Sequence, residues 1–213
     1  MNPHNIQYKP IELSNIGVIQ FKVPDVIMSA VNTEVDHIQK NFNDHTPVNS
    51  YLAGNIEREY ALNQCRSVLD PFILEMATLY QQRHEIKNQD SAHSSSLQLD
   101  GVWCNFQKAT EFNPNHNHSG LLSFVIWVRM PYDINEEHQQ SPGRNSNKNT
   151  AGCFELTYIN TIGDLTSAVF PADRAWQGQM LMFPAKMNHC VYPFYTSKDY
   201  RISVSGNVSA VLK

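Results

Sequence analysis

The sequence predicts an α+β fold in which a strand and supporting helices precede an antiparallel β-core of sandwich or barrel type. Three observations carry that reading. Apolar residues recur at helical spacing twice before residue 83. From Leu97 onward the pattern changes to short apolar runs separated by clusters of Gly, Pro, Asn and Asp. The 213 residues, 41% of them hydrophobic, suit one large domain better than two small ones. The expected organisation is therefore a single domain, 1–213, with the strand and helices in 1–96 and the β-core in 97–213.

Gly17–Val23 alternates well enough for a strand. Pro24 suits the first position of a helix, and Ile27, Val31, Val35, Ile38 and Phe42 then fall on one face, leaving His37, Gln39 and Lys40 to solvent. Asn43–Ser50 carries loop residues. Residues 56–82 read as a second helical region with Val68, Phe72, Met76, Leu79 and Tyr80 as its apolar stripe. Asp70-Pro71 in its middle reads as an N-cap and first-turn proline, so the region is two helices or one kinked one. The polar, serine-rich stretch 84–96 reads as a loop. Core strands are expected at Val102–Gln107, Leu121–Val128, Cys153–Ile159, Gln179–Phe183 and Tyr200–Val208. Between two of them, 133–150 is almost wholly polar and reads as a surface loop or lid outside the core.

Composition narrows the function classes. Sixteen Lys+Arg against twenty Asp+Glu give a net charge of −4, with no basic block of the kind that grips nucleic acid. The apolar stretch Leu121–Met130 contains Arg129 and falls far short of the roughly 20 residues that span a bilayer. Met1–Pro10 lacks the apolar core of a signal peptide. Cys65, Cys104, Cys153 and Cys190 form no C-x-x-C pair, which excludes a zinc knuckle and fits buried thiols in a reducing compartment. A soluble cytoplasmic protein without membrane or nucleic-acid partners is expected.

Chemistry concentrates in Asn113–Gly120. On an extended segment residues i and i+2 share a face, so His116 and His118 can address one ion. Imidazole suits Fe, Zn, Cu and Ni. A pair of this kind also arises without function in polar loops. Gly178–Pro184 reads as a turn and buried strand leading to His189, 73 residues beyond His116, where a third ligand can arrive or a histidine can simply be buried. Arg201 and Ser203 share a face of the last strand. An inward Arg needs an anion, whereas an outward one needs only water or a partner such as Glu155. Trp103, Asn105 and Gln107 share a face of the strand before the histidine pair, either lining a pocket or filling core, and Asn207 follows the Arg strand.

His116-x-His118, Gly178…Phe183-Pro184…His189, Pro193 and Arg201-x-Ser203, in that order, resemble the Fe(II)- and 2-oxoglutarate-dependent oxygenases. The likeness is to the prolyl-hydroxylase-like branch common in bacteria and phages. It covers about 103–207, leaves 133–150 unmatched and matches the N-terminal helices only in kind. The resemblance implies a double-stranded β-helix, or jelly-roll, with the metal at its open end. It implies His116, His118 and His189 as catalytic metal ligands, with Arg201 and Ser203 holding the distal carboxylate of 2-oxoglutarate. Asn105 and Asn207 would line or support the co-substrate site. The implied cofactors are Fe(II) and 2-oxoglutarate, with ascorbate as auxiliary reductant, and the implied reaction is hydroxylation of a protein, peptide or small molecule. One departure stands out: where the family usually places Asp or Glu, this chain has His118, leaving the site one negative charge short. Either His118 is a ligand or it points elsewhere and the third position is open. The alternative function is a metal-binding jelly-roll without turnover that serves as a structural or interaction protein. A zinc hydrolase is disfavoured, since no H-E-x-x-H occurs. For a site of neutral imidazoles, metal affinity is expected to fall as pH drops through about 6.5.

Overall fold

The computed structural model describes residues 17–84 and 95–212. Among these residues ten strands form two antiparallel sheets. The larger sheet contains β1 (Ile19–Lys22), β2 (Glu59–Ala61), β3 (Ser95–Gln107), β5 (Leu122–Arg129), β8 (Gln179–Pro184) and β10 (Arg201–Leu212), in the order β1-β8-β5-β10-β3-β2. The smaller contains β4 (Asn113–His116), β6 (Phe154–Ile159), β7 (Leu165–Phe170) and β9 (Asn188–Val191), ordered β4-β9-β6-β7. From β3 onward the chain crosses repeatedly between the sheets and lays eight strands in the order of a double-stranded β-helix. The fold is thus α+β with a jelly-roll core, and α1 (Asp25–Lys40) and α2 (Arg66–His84) pack on its larger sheet.

This layering explains why β5 reads as an unbroken apolar run. Leu122, Phe124, Ile126 and Val128 face the helices, while Val125 and Trp127 face the space between the sheets. Strand β8 divides the same way, Met180 and Met182 outward under the helices, Leu181 and Phe183 inward. Strands buried on both faces lose the alternation that marks a half-exposed strand.

Helix α1 buries the expected Ile27, Val31, Val35 and Ile38, with Pro24 at its N-cap. It also buries Glu34, whose carboxylate accepts from the backbone N–H groups of Asn63, Gln64 and Cys65, at 2.7, 2.9 and 2.8 Å. Burial raises its pKa, and those three donors outweigh the rise, so the group stays ionised below the usual range. This carboxylate, borrowed from another helix, holds the three residues that lead into α2.

The second helical region departs from expectation. Residues 56–65 are not helical and include β2, and α2 is one helix that runs through Pro71. Asp70 lies within the helix and pairs with Arg66 at i,i+4 instead of starting a new one. The buried stripe is Leu69, Ile73, Ala77 and Tyr80, one position on from the expected one, with Val68 and Leu79 exposed. Of the expected loop 84–96, residues 85–94 lie outside the described residues, as does Met1–Pro10; Ser95 already belongs to β3. The segment 133–150 is also not a plain loop. It contains α3 (Ile134–Gln140), capped by the Asp133 side chain. Glu137 of α3 is fully buried and accepts from the backbone N–H groups of Tyr195 and Thr196 and from the Thr196 hydroxyl. A carboxylate enters the interior here because three donors replace its water. No described helix is long and apolar enough to cross a membrane.

Candidate active site

Strands β4 and β9 pair antiparallel, with His116 and His189 as direct partners. The register therefore closes the 73-residue gap between them. His118 lies two residues past β4, where its backbone N–H donates at 2.8 Å to the O of Ala185, between β8 and β9. The ring centroids of His116 and His189 are 4.2 Å apart, those of His116 and His118 4.9 Å, and those of His118 and His189 5.0 Å. One ring nitrogen from each lies within 4.8 Å of the others. His118 thus points into the cluster.

The hydrogen bonds fix which nitrogen is available. Nδ1 of His116 is 2.7 Å from Pro114 O, and Nδ1 of His189 is 3.1 Å from Met187 O. A carbonyl only accepts, so each Nδ1 carries its proton and each Nε2 keeps a free lone pair. This is the outer support typical of ligating histidines. Phe183 and Phe154 pack against the His189 ring, with centroids at 5.0 and 5.8 Å. Burial, and then the neighbouring His116, push the pKa of His189 down to about 3 and that of His118 down to about 4. Burial also lowers His116, against the opposing pull of nearby backbone carbonyls. All three rings are neutral at pH 7, the form that binds a metal. Proton competition is consequently expected below the pH 6.5 of free histidine. These donors fit Fe(II), for which imidazole is a good ligand. No carboxylate belongs to the cluster among the described residues. Glu111 is taken up by the backbone N–H groups of Lys108 and Glu57.

The three histidines line a pocket between the sheets, together with Trp103, Asn105 and Ser203. Gln107 also lines it, and Arg201 lies behind Gln107, only 3% exposed. Nε and Nη2 of Arg201 donate to Gln107 Oε1 at 3.0 and 2.6 Å, and Nη2 also donates to Tyr192 O at 2.7 Å. Nη1 donates to Tyr132 OH at 2.7 Å and to Gly152 O at 3.1 Å. Every acceptor is neutral. Glu155, the carboxylate considered as its partner, pairs with Lys148 at 3.1 Å instead. Ser203 accepts from Asn105 Nδ2 at 3.2 Å. Asn207 meets the pocket only through Ser123, whose hydroxyl donates to its Oδ1 at 2.7 Å.

The pocket has a further wall that sequence reasoning missed. Leu52, Ala53 and Ile56 line it from the loop before β2, and Glu59 and Asn113 lie beside them. Nothing in the local pattern marks Glu59, because it falls in a stretch whose spacing also suits a helix.

Comparison with known proteins bears on the same segment. The family model described as "Putative 2OG-Fe(II) oxygenase" matches residues 101–207. No curated protein matches the chain. A prolyl-4-hydroxylase from Pseudomonas putida superimposes with a TM-score of 0.53 at 12% identity, over 90% of this chain and 91% of that one. A viral collagen prolyl hydroxylase from Paramecium bursaria Chlorella virus-1, solved as a 2OG complex, gives 0.51 at 10% identity, over 91% of this chain and 96% of that one. AviO1 from Streptomyces viridochromogenes gives 0.53 at 10% identity, over 92% and 90%. At these identities the likeness establishes the fold. The family match spans just over half the chain and contains all three histidines, Arg201 and the jelly-roll strands from β4 to β9, so the chain belongs to the 2OG-Fe(II) oxygenase family, whose cofactors are Fe(II) and 2-oxoglutarate.

Proposed function

We propose that this protein couples oxidative decarboxylation of 2-oxoglutarate to hydroxylation of a substrate C–H bond. Substrate, dioxygen and 2-oxoglutarate would yield hydroxylated substrate, succinate and carbon dioxide, chemistry that bound Fe(II) supplies. The convergence of His116, His118 and His189 on one point carries the proposal. Their neutral rings would hold the ion, and the carbonyls of Pro114 and Met187 would keep two of them in the ligating tautomer.

The residues around Arg201 fit the co-substrate. A buried guanidinium with only neutral acceptors has its hydrogen bonds satisfied and its charge uncompensated, a costly state that a carboxylate relieves. Gln107 Oε1 accepts from two guanidinium nitrogens at once, as one end of a carboxylate would. Swinging that carboxamide aside frees both donors toward the pocket, and the Ser203 hydroxyl adds a third. A three-imidazole site contributes no negative charge, so dianionic 2-oxoglutarate would supply the charge that balances the ion. The missing carboxylate equally supports a second reading, a metal-binding jelly-roll without turnover.

Fe(II), ascorbate and 2-oxoglutarate decide between them. An oxygenase releases succinate slowly even without its substrate. No succinate together with no 2-oxoglutarate binding would favour the second reading.

A further inference from the structure

Glu59 is 1% exposed and lines the pocket that holds the three histidines. Its Cα partner across β2 and β3 is Asn105, so both side chains point between the sheets. Glu59 Oε2 accepts from Asn49 Nδ2 at 3.1 Å. Glu59 Oε1 is buried without a donor, and so are the side-chain oxygens of Asn113 and Asn105. The oxygens of Glu59 and Asn113 converge above Gly54: a Cβ there would collide with Asn113 Oδ1 and lie 2.9 Å from Glu59 Oε1. An amide can turn and present N–H instead of oxygen, but an ionised carboxylate only accepts. No Lys, Arg or His pairs with Glu59 among the described residues. Ionised, a buried acidic group without a cation is costly, so it either keeps its proton or is completed by a cationic ligand. Leu52, Ala53 and Ile56 add an apolar wall to the same pocket.

We propose that Glu59, with Asn113 and Asn105, forms a subsite for a cationic nitrogen on the substrate, an ammonium or guanidinium at the end of an aliphatic chain. The inference rests on the oxygenase reading for the word substrate and deepens it by naming a chemical class. Leu52, Ala53 and Ile56 would take the alkyl part, and the donor-poor oxygens its charged end. Burial, and secondarily the carboxylate of Glu111, hold the Glu59 pKa up at about 7, as befits an acidic group facing no cation.

The test is an NMR titration of the full chain with n-butylammonium, n-butylguanidinium and neutral n-butylurea, followed at the amides of residues 52–61. At least one cation should saturate these shifts, and n-butylurea should bind at least tenfold more weakly. Glu59→Gln, which keeps the shape and removes the charge, should weaken the cation at least tenfold. Gly54→Ala, which keeps the charge and fills the cradle, should do the same if Glu59→Gln does not fold. The preferred cation distinguishes a lysine-like from an arginine-like substrate. Equal binding of n-butylurea, no response to either cation, or unchanged binding in the folded variants would overturn the subsite. Succinate release by the unaltered protein is scored separately. Its absence together with absent 2-oxoglutarate binding, with cation binding intact, counts against the oxygenase reading alone.

Discussion

Gln107 lies directly opposite Arg201 in the β3–β10 ladder, and its single carboxamide oxygen accepts from two guanidinium nitrogens. The pairing places a polar but uncharged group between a buried cation and the pocket. Arg201→Ala is expected to weaken 2-oxoglutarate binding at least a hundredfold while metal content stays at the unaltered level, since truncating one side of a buried charged pair costs about 2–5 kcal/mol. Arg201→Lys should retain part of the affinity, because a point charge replaces the planar fork. Calorimetric titration and metal analysis on the same samples check this. Simultaneous loss of metal would make Arg201 a structural residue.

A second expectation concerns charge. With three neutral ligands the ion arrives with its charge unopposed, so saturating 2-oxoglutarate should tighten Fe(II) binding at least tenfold. By linkage the metal should tighten 2-oxoglutarate by the same factor. Anaerobic titrations in both directions measure it. Independent binding would mean that the charge is balanced elsewhere.

The depressed histidines set a pH window. In the unfolded chain they titrate near 6.5, whereas in the fold His118 and His189 stay neutral to about 4 and 3. Below pH 6.5 the unfolded state therefore binds more protons. The metal-free protein should lose stability as pH falls from 6.5 toward 4, by on the order of a few kcal/mol. Metal affinity should hold through neutral pH and fall only below the ordinary histidine range, since all three ligands are shifted down. Denaturant unfolding and competitive metal titration across this range test both, and a steep loss of affinity between pH 7 and 6 would contradict the buried neutral rings.

Glu59 bends the profile the other way. Its pKa rises from about 4.5 to about 7 on folding, so its contribution is intact below 4.5 and lost as pH climbs toward 7. Glu59→Gln should therefore be more stable than the unaltered protein at pH 8 by roughly 1–3 kcal/mol, and equal to it near pH 4. Denaturant midpoints at the two pH values read the difference. An equal effect at both would mean that the carboxyl is not buried unpaired.

How much of this was legible in the chain depends on the range of the forces involved. The alternation of Val125 and Trp127 against Phe124 and Ile126 is local, and the strand could be seen before its two faces could be told apart. His116, His118 and His189 were visible as candidates, since i,i+2 spacing is local, but their meeting depends on the β4–β9 register, which no single segment encodes. The start of α2 was misplaced because the residues leading into it are held by the carboxylate of Glu34, 31 residues before Cys65. Glu137 was hidden for a similar reason: a polar run predicts solvent, and its donors lie on Tyr195 and Thr196, 58 and 59 residues later. Glu59 joined the pocket only through pairing of β2 with β3.

Diffraction from Fe(II)-loaded crystals, with anomalous data collected on both sides of the iron edge, addresses the metal site directly. A single iron peak bonded to Nε2 of His116 and His189 and to one ring nitrogen of His118 is the predicted result. A peak held by only two of the imidazoles, or none between them, would contradict it.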